Sequence, residues 1–135
     1  MHTPNTVRPE RLLTALDHRR LSKLLEAQSH ETLQALLDGA DLVDSRQVPP
    51  NVVTMYSQVE IVGVQTGRRH RLTLCYPHDA EPSVGFVSVL SPVGTGLLGL
   101  SVGSLARWQT PNRDEAAAEI DAILFQPEAS GDYTL

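Results

Sequence analysis

Pro49-Pro50-Asn51-Val52-Val53-Thr54-Met55-Tyr56-Ser57-Gln58-Val59-Glu60-Ile61-Val62-Gly63-Val64-Gln65-Thr66-Gly67 is where this 135-residue chain changes its period. The paired prolines cannot continue a helix, and they bias the residue before them toward extended backbone. Beyond them the apolar residues are β-branched and alternate: Val52 to Met55, Val59 to Gln65 and Arg69 to Tyr76 read as strands. Thr66-Gly67 between the last two supplies a tight hairpin turn. Before the prolines the spacing is helical instead.

On that N-terminal side, Thr14 followed by Asp17 offers a capping-box start, and a helix from about 15 to 28 carries Leu21, Leu24 and Leu25 on one side. A second start lies at Ser29, after which Leu33, Leu36, Leu37, Ala40 and Val43 recur at steps of three and four. That spacing predicts a helix of about four turns, weakened by Gly39 by roughly 1 kcal/mol relative to alanine. With so short a link the two helices are expected to form an antiparallel hairpin, a short coiled coil. Residues 1 to 10 lack periodicity and are expected to be a loose arm.

C-terminal to the hairpin turn, Pro77 to Pro82 reads as a polar loop, Val84 to Leu90 and Leu105 to Thr110 as strands, and Ala116 to Phe125 as a further strand by its loose alternation. The resulting fold class is α+β: an arm and helical hairpin over residues 1–47, then a mostly antiparallel sheet of about five strands over residues 48–135.

Composition narrows the functions. Apolar residues make up 41% of the chain and the net charge is −5. Residues 1–47 hold six Lys or Arg against seven Asp or Glu, and residues 48–135 hold five against nine, so neither part is basic. Autonomous binding of DNA or RNA is not expected from that balance. No apolar run approaches the roughly 18 residues of a membrane span, and Met1-His2-Thr3-Pro4-Asn5 lacks a secretory pattern, so the expected location is the cytoplasm. The single cysteine, Cys75, allows neither an intrachain disulfide nor a multi-cysteine metal site, and reads as a small buried hydrophobe.

Gly94-Thr95-Gly96-Leu97-Leu98-Gly99 satisfies G-x-G-x-x-G, yet Gly103 and Pro111 follow where a dinucleotide site needs a long helix. The structural reading is a turn at Ser91-Pro92 entering one helical turn, with Leu97, Leu98 and Leu100 plugging an end of the sheet. Arg68, Arg69, His70 and Arg71 form the one dense basic cluster, read as a guard on an exposed strand. The five histidines show no ligand spacing, and Asp38, Asp41 and Asp44 read as one solvated helical face, so no metal or cofactor is expected. No local serine, histidine and acid pattern suggests a catalytic residue.

Three segments carry a resemblance: Val52-Val53-Thr54-Met55-Tyr56-Ser57-Gln58-Val59, the run from Ser88 through Ser91-Pro92-Val93-Gly94-Thr95-Gly96-Leu97-Leu98-Gly99 to Gly103, and Phe125-Gln126-Pro127-Glu128-Ala129-Ser130-Gly131-Asp132-Tyr133. Together they resemble the regulator of nucleoside diphosphate kinase family, a branch of the GreA/GreB transcript-cleavage-factor superfamily. The resemblance covers residues 48–135 well and the helices in order and pattern. It departs at Ser104, where many relatives place aspartate, at Gly96, where alanine is usual, and in a shorter helical hairpin.

The resemblance implies an FKBP-like sheet domain behind a short coiled coil, and RNA polymerase as partner, approached at its secondary channel. DNA would be met only inside that complex, and a monomer is the expectation. The implied contacts are the hairpin tip, Gln28, Ser29, His30, Glu31 and Thr32, with Ser88, Ser91, Pro92 and Gly94 and the loop from Pro77 to Ser83 at the rim. In cleavage factors the tip holds magnesium through acidic residues; this tip has one acid, Glu31, and no cleavage activity is expected. The alternatives are a cleavage factor with an atypical tip using Glu31 with His30 or Glu26, and a peptidyl-prolyl isomerase. The isomerase would need convergent aromatics, and most of the six present are expected in the core.

Overall fold

The computed structural model describes residues 10–134. The expected loose arm lies almost wholly outside the described residues. Leu12–Thr14 form β1, and α1 follows at once over Ala15–Ala27. Thr14 caps it, its hydroxyl oxygen accepting from the Asp17 amide at 3.0 Å. After a link at Gln28 to His30, α2 covers Glu31–Gly39, and β2, Asp41–Val43, runs parallel to β1.

This N-terminal region departs from expectation. Helix α2 has nine residues and stops at Gly39, so Ala40 and Val43 are not on its stripe. Asp41 sits in β2 and Asp44 caps a single 3-10 turn, so the three acids share no helical face. Leu12 and Leu13 lead into α1 as a strand. Three-residue strands are too short to show an alternation, which is why the helical period ran through them unnoticed.

In the C-terminal part β3 is Gln58–Gly63, β4 Arg69–Cys75, β5 Phe86–Ser88, β6 Leu105–Gln109 and β7 Glu115–Phe125. Helix α3, Pro92–Leu97, stands between β5 and β6. The five strands order β5-β4-β3-β7-β6, with β5 parallel to β4 and the other neighbours antiparallel. The alanine-rich Ala116 to Phe125 is indeed a strand, as the alternation says. Val52 to Met55 is no regular strand: all four are buried, Val52 forms an isolated bridge to Ser101, and Val53 donates to the Leu100 carbonyl and accepts from the Gly99 amide, each at 2.9 Å.

One buried cluster joins Leu21, Leu25, Leu33 and Leu37 of the helices to Val59, Ile61, Leu74, Leu97 and Ile120 of the sheet part. Leu97, Leu98 and Leu100 are fully buried, as their reading as a plug requires. Of the six aromatics, Tyr56, Tyr76 and Trp108 pack against this core, each only partly buried. Phe86 is 37% and Phe125 42% exposed, and with Tyr56 they line a shallow hollow on the sheet. The largest fully buried side chains are Leu, Met, Ile and Val, and the rings stand at the edge of the core.

Candidate functional site

The link between α1 and α2 is organised by His30. Its Nδ1 accepts from the Leu33 amide at 3.1 Å, capping α2. Nδ1 is then unprotonated, so Nε2 carries the hydrogen and donates to the Leu90 carbonyl at 2.9 Å. One imidazole thus caps the start of α2 and fastens it to the start of the Ser91-Pro92 turn, 60 residues away. Gln28, Ser29, Glu31 and Thr32 remain exposed around it. His30→Ala removes a cap and a tertiary bond, and is expected to cost about 2 kcal/mol by urea unfolding.

The opposing turn is built from its own polar groups. Ser88 Oγ accepts from the Leu90 amide at 3.0 Å; Ser91 Oγ donates to the Ser88 carbonyl at 2.6 Å and accepts from the Gly94 amide at 3.1 Å. Thr95 Oγ1 donates to the Val89 carbonyl at 2.6 Å, closing the turn onto α3. Pro92 is exposed, whereas Gly94 is buried, so its part in the site is to let the backbone close. The structure therefore brings His30, Glu31 and Thr32 of the tip together with Leu90 and Pro92 of the turn. The loop from Pro77 is held separately, through a hydrogen bond from the Tyr56 hydroxyl to Asp79.

A second polar group escaped the sequence reading. The Asp17 carboxylate is 2% exposed and, rather than completing a capping box at Thr14, accepts from the Met55 amide at 3.1 Å. Burial pushes its pKa up to about 7, with the Glu128 carboxylate adding to the rise, while the Met55 bond, Arg20 and Thr14 oppose it. Glu128 accepts from Thr54 Oγ1 at 2.8 Å, and Gln126 Nε2 donates to the carbonyls of Pro49 and Val52, each at 2.8 Å. The quoted tail thus clamps the segment Val52 to Met55, whose backbone is also tied to Gly99 and Leu100 through Val53. Acid three residues after a cap was the visible signal, and it pointed to the wrong partner.

Elsewhere Cys75 is buried, its thiol donating to the Val87 carbonyl at 3.4 Å, and burial raises its pKa, which makes it a poor nucleophile. Arg69 bridges Glu60 at 3.4 Å and Asp121 at 2.8 Å across the exposed sheet face. Among the described residues no group of three His, Cys, Asp or Glu could hold a metal ion, and no helix is long and apolar enough to cross a membrane.

Comparison with known proteins follows the same outline. Residues 48–125 match the family described as transcription elongation factor, GreA/GreB, C-term. A regulator of nucleoside diphosphate kinase from Escherichia coli (strain K12) is 36% identical over 134 residues, 95% of this chain and 98% of the relative. A transcription elongation factor GreA from Flavobacterium johnsoniae is 31% identical, over 82% of this chain and 79% of the relative. A solved structure titled prokaryotic transcription elongation factor GreA/GreB from Nitrosomonas europaea superposes with a TM-score of 0.73 at 36% identity, covering 87% of this chain and 100% of that one. The helical tip, the glycine turn and the clamped tail are thus set in a chain that belongs to the GreA/GreB elongation-factor family, on its regulator of nucleoside diphosphate kinase branch.

Proposed function

We propose that this chain is a non-catalytic transcription regulator that binds RNA polymerase near its secondary channel and competes there with GreA/GreB-type cleavage factors. The observation that carries the reading is the His30 bond to Leu90, which fastens the tip beside the Ser91-Pro92 turn. Gln28, Ser29, Glu31, Thr32 and Pro92 are the exposed contacts of the proposed surface; Ser88, Ser91 and Gly94 shape it. The sheet part is taken as the FKBP-like docking module and the helices as its short antiparallel coiled coil. Any effect on nucleoside diphosphate kinase levels then follows from transcription, in the cytoplasm, with the protein acting as a monomer.

The short helices support a regulator over a cleavage factor. At 1.5 Å per residue, α1 and α2 are only roughly 20 and 14 Å long, and their tip offers one carboxylate, Glu31. A single acid is a poor magnesium anchor. The test is binding of the purified protein to core RNA polymerase with a cleavage factor as competitor. Mutual exclusion is expected; simultaneous binding, or none at low salt, sinks the proposal. In backtracked complexes with magnesium no RNA shortening is expected, and shortening abolished by Glu31→Ala would establish the cleavage reading instead.

A further inference from the structure

A cleft of about 970 Å³ opens between α2, the turn at Leu90 to Gly96 and the end of the β6–β7 pair. That is the size of a small-molecule site. Leu36, Leu90 and Pro92 give it apolar wall, Trp108 gives it an indole, and Arg11 reaches it from the residue before β1. We propose that this cleft binds a small organic anion carrying a flat ring, its charged group on Arg11 and its ring against Trp108.

Arg11 argues for the anion. Its Nη1 donates to the carbonyls of Thr95 at 3.2 Å, Gly96 at 3.1 Å and Leu98 at 2.8 Å, which fixes the guanidinium. Nε and Nη2, with three of the five N–H groups, have no acceptor among the described residues. Nor does any carboxylate of those residues lie within 4.0 Å of it, and residues 1–9 contain no acid. A partly desolvated cation without a counter-charge is unfavourable, and burial already lowers its pKa. An anion at the N–H groups that find no acceptor among the described residues relieves that cost; a cation would add to it.

Neighbouring charges leave this position open. Arg107 is occupied with Glu115 at 3.6 Å, so that pair is close to neutral, and Glu31 is exposed on the α2 side. Trp108 argues for the ring. The indole is half-buried, lodged against Gly96, where an added Cβ would stand 3.7 Å from its Cε3. A planar ligand gains both stacking and aliphatic contact in such a place. Carboxylate and phosphate head groups share the required chemistry. The cleft shares Glu31, Thr32 and Pro92 with the proposed polymerase surface, but an anion on Arg11 does not require that polymerase binds there.

Trp108 is the one tryptophan of the chain, so its fluorescence reports on this cleft alone. Phenyl phosphate and benzoate are titrated separately, beside inorganic phosphate and benzyl alcohol. Saturable quenching by at least one aromatic anion is expected, with the two arms ranking the head groups, and with inorganic phosphate and benzyl alcohol at least tenfold weaker. Arg11→Gln is expected to weaken that binding at least tenfold with an unchanged circular dichroism spectrum. Absence of saturable quenching, equal binding of inorganic phosphate, or equal binding by the variant would overturn the proposal. Should the variant not fold, amide shifts of the unsubstituted protein decide: changes at Gly39, Gly96 and the Trp108 indole N–H support it, and changes confined to the Tyr56, Phe86 and Phe125 hollow, or none, refute it.

Discussion

Gly94→Ala is expected to abolish or nearly abolish folding, while Gly39→Ala raises stability by up to about 1 kcal/mol. An alanine Cβ at position 94 would collide with the Ser88 carbonyl oxygen and stand 3.0 Å from Ser91 Oγ. That carbonyl cannot swing aside freely, because it already accepts from the Ser91 amide at 3.0 Å and the Ser91 hydroxyl at 2.6 Å. Relief therefore demands moving the end of β5 or the start of α3. Ordinary overpacking costs about 1–3 kcal/mol, and a backbone collision of this depth should exceed that range. Against a total stability of roughly 5–15 kcal/mol the loss is severe. Gly39 meets nothing within 4 Å and has no left-handed backbone, so there alanine contributes only its helix propensity. Urea unfolding of both variants checks the pair; a Gly94→Ala midpoint near that of the unsubstituted protein would refute the turn geometry.

Stability should also fall as pH rises from about 4 to about 7, and Asp17→Asn should flatten that dependence. The folded pKa of Asp17 lies at about 7, raised from 3.8 chiefly by burial. Between those values the native state holds a proton that the unfolded chain has released, so each step upward in pH favours unfolding. The penalty is complete above about pH 7 and absent below about pH 4. A rise of three pKa units corresponds to roughly 4 kcal/mol, an upper figure because Arg20 and the Met55 amide still attend the ionised form. Asparagine keeps an oxygen for the Met55 N–H without the charge, so the slope it removes belongs to Asp17 rather than to nearby Glu128. Denaturation series at pH 5 and pH 8 measure this directly. Equal slopes in the two proteins would show that Asp17 is ionised in the fold throughout.

What local sequence determines here is what side-chain direction alone can encode. The change from a period near 3.6 to a period of two after Pro49-Pro50 separates helices from sheet, Thr14 marks the start of α1, and Ser91-Pro92 marks a one-turn helix. Each is a relation within a few residues. The same locality explains the misreadings: Val52 to Met55 look like a strand because they are β-branched and apolar, yet they are buried on every side and held by Gln126 and Glu128 from the far end of the chain. Asp17 looks like half of a capping box until Met55 supplies a better donor. The residues of the candidate surface came from the resemblance, but the bond that joins its two parts, and the cleft, were illegible for the same reason. His30 meets Leu90 across 60 residues and Arg11 meets Leu98 across 87. No period or spacing carries such pairings; they exist only once burial of the shared aliphatic core has brought the segments together and left their polar groups to find partners there.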